Sequence, residues 1–239
     1  MAQKENRSIA HDLERFYSLL ERLREIEGQG RPLKEYTGRS KLPRRGVYFF
    51  FEPGEPRTTG EGDRVVRVGT HALHLGAAST LWQRLRSHRG GAKSGGNHRG
   101  SIFRLEVGRA LLARDSSELA TWGLGQSAVP SIRIAERDLE NEVSRFIGAM
   151  RMLWLEVDDE PSPVSKRSYI EQNSIALLSN RTGQMDMPGP DWLGRFSPQS
   201  RIRESGLWNK DYVFGEYDRA FLDVMAALSI VRPKMAERE

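Results

Sequence analysis

Residues 46–51 read GVYFFF and residues 64–69 read RVVRVG. Both runs are rich in Val, Phe and Tyr, the residue types that fit a half-buried pleated sheet, and each predicts a short strand. The connection between them, EPGEPRTTGEGD, is rich in Gly and Pro and is typical of a long hairpin loop. The sequence therefore predicts two paired strands, the first of which carries Tyr48 near its start.

Helical patterns lie on both sides of this strand pair. Before it, Ser8 is placed to cap a helix that runs to about Glu27, because apolar residues recur there every three or four positions. That apolar stripe consists of Ile9, Leu13, Phe16, Leu20 and Leu23. After the pair, STLWQRLRSHR at 79–89 predicts a short helix that ends at the glycine-rich stretch 90–97.

The second half of the chain adds helices and one further strand. MLWLEV at 152–157 alternates like a strand, and Ser165 caps a predicted helix that reads KRSYIEQNSIALLSN. Residues 181–210 are expected to be loop-like because they contain several Pro and Gly. The other predicted helices are SIFRLEVGRALLAR at 101–114, AERDLENEVSRFIGAM at 135–150 and EYDRAFLDVMAALSIV at 216–231.

This order of elements predicts an α/β (α+β) fold in which a small, mainly antiparallel, three-stranded sheet is flanked by helices. A chain of 239 residues is long enough to bury a sizeable core. We divide it into an N-terminal helical arm (1–43), a core (44–182) and a C-terminal loop and helix cap (183–239). A helical insertion at about 91–151 interrupts the core.

Composition excludes several classes of protein. The sequence has no cysteine, which excludes a disulfide framework, a cysteine-based zinc site and a cysteine nucleophile. His71 and His74 alone make a poor zinc pair, and GGAKSGG lacks the spacing of a phosphate-binding P-loop. No apolar run approaches the roughly 20 residues of a membrane span, and the first residues lack the apolar core of a signal peptide. We therefore expect a cytoplasmic protein with no membrane partner.

The positive charge is concentrated in one third of the chain. The net charge is +5, yet residues 31–110 contain sixteen Lys and Arg against six Asp and Glu. Thirty of the 37 basic residues are arginines, whose planar fork suits bidentate contact with phosphate. This distribution favours a polyanion such as nucleic acid as the partner, although a solvated basic face is an alternative that composition alone leaves open.

Several residues in these elements follow one another in a recognisable order. Gly46-Val47-Tyr48 opens the first strand, Arg67-Val68-Gly69 closes the second, and the next helix carries Arg84 and His88 four residues apart. The helix after the third strand carries Glu171. In these residues the chain resembles the GIY-YIG nucleases, whose second signature tripeptide normally has a tyrosine where this chain has arginine. The resemblance covers about 44–90 and about 152–182.

The resemblance implies a metal-dependent nuclease and assigns roles to particular residues. Glu171 would hold one Mg²⁺, with Mn²⁺ as an alternative ion, and Tyr48 would be the general base. A carboxylate with bound waters is a typical Mg²⁺ site. From spacing alone, Arg84 and His88 lie one turn apart on one helix face and can both point at a single phosphate. Arg67 would supply a cation near that phosphate in place of the missing tyrosine.

Other polar residues near these positions are candidate DNA contacts. Phosphate binding needs exposed cations and hydrogen-bond donors, which the helix at 79–89, the glycine-rich stretch and NHRGSIFR provide. Either of two asparagines is a candidate for the asparagine that follows the glutamate in the family, and the choice between them stays open. The full set of candidate DNA contacts is Arg86, Arg89, Lys93, His98, Arg99, Arg104, Asn173 and Asn180.

The architecture is most similar to the small GIY-YIG type II restriction endonucleases, since recognition elements would lie within the catalytic fold. The expected activity is therefore hydrolysis of double-stranded DNA at a specific sequence. Cutting both strands of a symmetric site needs two copies of a one-site chain, so we expect a homodimer. Its candidate interfaces are the N-terminal apolar stripe and the C-terminal helix. Two alternatives are a non-catalytic nucleic-acid-binding protein on the same fold and a structural or toxin-like protein whose basic face meets an acidic protein.

Overall fold

The structure, a computed structural model, describes residues 2–91, 95–180 and 185–229, and within them the side chains from residue 8 onward. Its sheet has three strands, β1 (Gly46–Pro56), β2 (Asp63–Gly69) and β3 (Arg151–Glu156). The strand order is β2-β1-β3, and both pairings are antiparallel. The predicted mixed fold with a small antiparallel sheet is therefore confirmed.

The first strand is longer than the sequence predicted. Residues expected to begin the hairpin loop continue β1 to Pro56, with register shifts after Phe50 and after Phe51. Gly54 lies in this irregular part at φ +85°, a conformation that favours glycine. The hairpin is therefore closed by a shorter connection than the expected twelve residues.

Helices cover both faces of the sheet. The helix that precedes it starts at Ala2 rather than after the predicted cap Ser8. The helix after β2 starts at Leu81 rather than at Ser79 and is capped by Thr80. Ser165 caps its helix as predicted. In the described residues the helices are α1 (Ala2–Arg24), α2 (Leu81–Arg89), α3 (Ile102–Arg114), α4 (Pro130–Ala135), α5 (Arg137–Ala149), α6 (Lys166–Leu178), α7 (Ser200–Ser205) and α8 (Phe221–Leu228).

Side-chain alternation along β1 divides the interior into two clusters. Val47, Phe49 and Phe51 pack with α1, α6 and α8, whereas Tyr48 and Phe50 pack with α2, α3 and α5. In the register of the sheet, Tyr48 lies opposite Gly69 on one side and Trp154 on the other. Because residues directly opposite one another share a face, the first signature tyrosine faces the α2 side of the sheet.

The arm and the cap belong to the same packed body as the sheet. The buried residues of the N-terminal stripe and those of α8 share one apolar cluster with Val47, Phe49 and Phe51. The suggestion that this stripe or the C-terminal helix forms a dimer interface is wrong for these buried residues, because the chain itself covers them. The stripe residues that are buried are Leu13, Phe16, Leu20 and Leu23, and those of α8 are Phe221, Leu222 and Met225.

None of the helices in the part of the chain that the structure describes has the length and apolar character that crossing a membrane requires.

Candidate active site

Five residues singled out in the sequence meet at one end of the sheet. Tyr48 comes from β1, Arg67 from β2, Arg84 and His88 from α2, and Glu171 from α6. The hydroxyl of Tyr48 contacts His88, and the charges of the two arginines act on Glu171. Residues distant in sequence are thus brought together because β1 and β2 pair and both α2 and α6 pack on them.

Tyr48 and His88 form the inner part of this site. The Tyr48 hydroxyl lies 2.8 Å from Nε2 of His88, and Nδ1 of His88 lies 2.8 Å from Oγ of Ser101. Burial, followed by the charges of Arg84 and Arg67, holds the pKa of His88 well below its ordinary value, so the imidazole is neutral. In one tautomer His88 accepts the tyrosine proton and in the other it donates to the phenolic oxygen. The pair can therefore exchange a proton.

The ring of Tyr48 fits where it does because residue 69 has no side chain. A Cβ placed on Gly69 would lie 2.2 Å from the Tyr48 hydroxyl oxygen. Both Tyr48 and His88 are fully enclosed, each with 0% of its surface exposed. Gly69, the glycine of the second signature, thus leaves room for the ring of Tyr48, the tyrosine of the first signature. The Tyr48–His88 pair is shielded from solvent.

Arg67 lies where the resemblance expects a tyrosine. Its Nη1 donates to the carbonyl of Trp208 at 2.6 Å, and its guanidinium carbon lies 4.6 Å from the centre of the Phe103 ring. Burial lowers the pKa of Arg67, and the neighbouring Tyr48 and Glu171 oppose that effect. The side chain is therefore a nearly buried cation beside the Tyr48 hydroxyl.

Glu171 is the carboxylate of the site. Its Oε1 accepts the backbone N–H of Thr70, the residue that follows β2, at 3.1 Å. Burial raises the pKa of Glu171 to about 7, and Arg67, the Thr70 N–H and Arg84 act in the opposite direction. Its other oxygen makes no hydrogen bond within the described residues. A half-buried carboxylate with one free oxygen fits Mg²⁺, which takes oxygen ligands and retains several waters.

The turn after β2 is fastened to the helix that carries the carboxylate. Arg167, one turn before Glu171 on α6, donates to the carbonyls of His71 and Ala72 and pairs with Asp159. Ala72 has φ +55°, an uncommon conformation for a residue with a side chain. Arg167 therefore holds the strained turn that presents the Thr70 N–H to Glu171.

Buried side-chain nitrogen and oxygen atoms without a hydrogen-bond partner are concentrated at this end of the described part of the molecule. Of nine such side-chain atoms in the described residues, five belong to Arg45, Arg67, His71 and Arg84. Through its charge, Arg84 acts on Arg67, His71 and Glu171 alike. Unpaired buried polar atoms are few in folded proteins. Their accumulation here indicates a site that binds an anionic group.

Three predicted DNA contacts lie inside the protein instead. His98 and Arg104 share the carboxylate of Glu140, with His98 Nδ1 and Arg104 Nε each 3.0 Å from one of its oxygens. Arg99 pairs with both oxygens of Glu136, at 2.6 and 2.8 Å. The prediction of a second phosphate-contacting patch is therefore wrong for these three residues, since their side chains already bond to internal carboxylates.

The remaining cations near α2 differ in their exposure. Arg86 is exposed and lines an open groove of about 440 Å³ together with Gln83 and the glycines that follow the helix. Arg89 is partly buried, donates to the carbonyl of Tyr36 and lies 5.4 Å from the Trp82 ring centre. Lys93 lies outside the described residues. Of the DNA contacts predicted on α2, Arg86 is thus the one whose side chain remains available to a ligand.

The two candidate asparagines do not reach the cluster. The Asn173 side chain donates to Tyr169 O at 2.7 Å and accepts from Asp218 N at 2.6 Å. The Asn180 amide donates to Asp186 O at 2.8 Å, and both residues are buried. The expectation that either contacts DNA is corrected, because their amides instead tie α6 to the segments that follow it.

The sequence interpretation missed three residues at the site. Ser101 was within a predicted helix, and its place as a helix cap was a signal that could have fixed its position. Asp211 and Tyr212 come from a stretch with no regular pattern, and the charges of both Asp211 and Glu171 act on the Tyr212 phenol. No local sequence signal links that stretch to α6.

The chain was compared with protein-family models, curated proteins and solved structures. A family model described as a GIY-YIG domain matches residues 7–233, which is nearly the whole chain. No curated protein and no solved structure matches the chain.

Proposed function

The chain belongs to the GIY-YIG domain family, which implies endonuclease activity, and on that premise we propose that it is a Mg²⁺-dependent endonuclease that cuts double-stranded DNA at a specific sequence. A type II restriction enzyme is the role proposed for it. The observation that carries the proposal is the cluster in which Arg67 and Arg84 surround Glu171 beside the enclosed Tyr48–His88 pair.

The arrangement matches what phosphodiester hydrolysis demands of a protein. Negative charge grows on the phosphate oxygens as the bond breaks, and fixed cations in a poorly solvated site stabilise it strongly. Arg84 is half-buried with an unpaired Nε, so it is the cation placed to contact the phosphate, with Arg67 behind it. Glu171 would hold Mg²⁺, which neutralises phosphate charge and lowers the pKa of a bound water.

We assign proton transfer to the Tyr48–His88 pair. Tyr48 is the proposed general base, and His88 is the group to which it passes a proton, because the two side chains are joined by a 2.8 Å hydrogen bond. Ser101 holds the imidazole from its other nitrogen. Arg67 lies beside this pair and supplies a fixed positive charge there.

A basic surface next to the site supports DNA as the substrate. The segment that precedes β1 presents exposed Arg39, Lys41 and Arg44, and the carbonyl of Arg44 accepts the N–H of Leu81 at the start of α2. These cations therefore lie on an element joined to the helix that carries Arg84. Exposed cations beside a cleft increase the local concentration and association rate of a polyanion.

Two further properties follow from a restriction role. Cutting both strands of a symmetric site requires two active sites, so we propose that the protein acts as a homodimer through surfaces other than the buried stripe. We also propose that it is cytoplasmic, because that is where such an enzyme meets its DNA.

The second candidate is a non-catalytic nucleic-acid-binding protein. Two observations favour it: Arg67 replaces the second signature tyrosine, and Tyr48 has no surface exposed to solvent. The basic surface would serve binding equally well, so the two candidates differ only in whether Glu171 supports cleavage.

The decisive experiment incubates a long, unmethylated duplex DNA with the purified protein in Mg²⁺ or in EDTA. Glu171→Ala is run beside it, with Glu118→Ala as the control because Glu118 is exposed and distant in sequence from the cluster. Discrete fragments that require Mg²⁺ and Glu171, but not Glu118, are expected. Intact DNA that is retarded on a gel would instead establish the binding-only candidate.

A further inference from the structure

The edge of β2 is extended by a segment from far along the chain. The N–H of Trp208 donates to Val66 O at 2.8 Å, and the side chain of Asn209 bonds to both the N–H and the C=O of Val68, at 3.1 and 2.8 Å. Arg67, between them, donates to the Trp208 carbonyl. Four hydrogen bonds therefore fix residues 208–209 along the strand that leads into the active site.

This segment places Tyr212 against the residue that follows Glu171 on α6. The phenolic oxygen of Tyr212 accepts from Nε2 of Gln172, the residue after Glu171, at 3.4 Å. The side chain is 44% exposed, and its O–H has no acceptor within the described residues. The exposed phenol therefore contacts the residue next to Glu171 on α6 and keeps a free donor.

The backbone at this residue is strained. Tyr212 has φ +63°, a conformation that is uncommon for residues with a Cβ and an outlier for a bulky one. Such strain persists where the surrounding structure enforces it, and it is frequent at functional sites. A glycine or an asparagine would adopt the same backbone at lower cost, so stability alone does not account for a tyrosine here.

No other tyrosine of the chain offers a phenol at this place. Of the six tyrosines, Tyr17, Tyr36 and Tyr48 are buried, and the second signature position is occupied by Arg67. Tyr169 and Tyr217 donate to carboxylates, those of Asp218 and Asp12 respectively. Tyr212 is the phenol that is both exposed and next to Glu171.

We propose that Tyr212 is an active-site residue that donates a hydrogen bond to a non-bridging oxygen of the scissile phosphate, supplying from the C-terminal segment the accessible phenol that the second signature lacks. This inference rests on the proposed endonuclease function. A tyrosine phenol ordinarily titrates near pH ~10, so it keeps its proton at neutral pH. It acts as a donor, which leaves Tyr48 as the proposed base.

The test separates catalysis from binding and from folding. Tyr212→Phe removes only the hydroxyl, and Tyr169→Phe is the matched control because Tyr169 is on the same helix as Glu171 but donates to Asp218. Single-turnover cleavage in Mg²⁺ is measured together with the dissociation constant for a labelled duplex in EDTA. Loss of one donor to a transition-state oxyanion costs roughly 10²-fold or more in rate, so at least a tenfold slower Tyr212→Phe with unchanged binding is expected.

A second variant tests whether Tyr212 is kept for its hydroxyl in spite of its strained backbone. Tyr212→Asn suits the same φ, so its melting temperature should equal or exceed that of the wild type while its cleavage rate falls. A wild-type rate in Tyr212→Phe, or a melting temperature of Tyr212→Asn well below that of the wild type, would overturn the inference and leave the endonuclease function standing. A wild-type protein that fails to cut DNA would overturn both.

Discussion

The hydroxyl of Tyr48 lies 2.8 Å from Nε2 of His88, and the two side chains share a site that solvent does not reach. The contact joins the start of β1 to the last turn of α2, forty residues later. It depends on Ser101 at the far side of the imidazole and on Gly69 at the far side of the phenol. Ser101 and Gly69 thus control the geometry of the Tyr48–His88 pair, although neither is assigned a part in proton transfer.

Ser101→Ala is expected to slow DNA cleavage. Its Oγ contacts His88 Nδ1 at 2.8 Å, and losing one hydrogen bond of about 0.5–1.5 kcal/mol corresponds to a slowing of about two- to tenfold. The same oxygen caps α3, so the variant should also lose about 1 kcal/mol of stability. Single-turnover cleavage and urea unfolding measure the two effects.

Ser165→Ala is the control for that variant, because Ser165 caps α6 in the same way without touching His88. It should lose a similar amount of stability. If both variants cleave DNA at the same rate, Ser101 only caps its helix and does not position the imidazole.

Gly69→Ala is expected to abolish cleavage and to destabilise the fold. The added Cβ would lie 2.2 Å from the Tyr48 hydroxyl and 2.3 Å from the ring carbon that bears it, so the ring must leave His88. Overpacking of this kind typically costs about 1–3 kcal/mol. Gly100→Ala is the control, since its Cβ meets nothing within 4 Å. Thermal unfolding of Gly69→Ala at the wild-type temperature would contradict the packing around Tyr48.

Much of the fold could be predicted from the sequence, because the patterns that indicate its strands and helices are local. The Val, Tyr and Phe run in GVYFFF predicts a strand, and a capping serine at 165 predicts a helix, each from neighbouring residues alone. The start of α1 was misplaced because a capping serine at position 8 is also compatible with a helix interior. Order in the sequence and a family pattern predicted which residues would be neighbours at the site, namely Tyr48, Arg84, His88 and Glu171.

What could not be predicted depends on contacts across the fold. His98, Arg99 and Arg104 look like a basic patch in sequence, and only the packing of α3 against α5 brings Glu136 and Glu140 to them. Tyr212 reaches the site because Asn209 pairs with β2, a long-range contact with no local signature. Charge counted along a sequence cannot separate an ion pair inside the protein from a surface that binds DNA.

Glu52→Gln is expected to stabilise the protein at pH 8 but not at pH 4.5. One oxygen of Glu52 accepts the indole N–H of Trp192 at 3.1 Å and that of Trp208 at 3.0 Å. Burial raises the pKa of Glu52 to about 7 from an ordinary value of 4.5. The folded state therefore binds the proton more tightly, and stability is lost as the pH rises from 4.5 through 7.

The glutamine variant keeps an oxygen for the two indoles and has no charge to bury. Its advantage over the wild type in the free energy of unfolding should grow with pH, to about 3 kcal/mol at most. Urea unfolding at pH 4.5, 6 and 8 measures this difference. An advantage that does not change with pH would mean that Glu52 titrates at its ordinary value.

Arg86→Ala is expected to weaken DNA binding without changing stability. Arg86 is exposed on the last turn of α2, beside the groove that the glycines line, whereas Arg104 on α3 is fully buried against Glu140. Each phosphate contact contributes about 0.9 to the slope of log affinity against log salt, so the slope should fall by about that amount. Removing Arg104 instead leaves a buried carboxylate unpaired and should cost about 3–5 kcal/mol of stability.

Fluorescence anisotropy with a labelled duplex, at several salt concentrations in EDTA, measures the slope, and urea unfolding measures stability. Arg22→Ala is the control, because Arg22 is exposed on α1, which packs on the opposite face of the sheet. An equal loss of affinity for Arg22→Ala and Arg86→Ala would show that the protein responds to its total charge. A loss confined to Arg86→Ala would place the DNA backbone along the groove that begins at the end of α2.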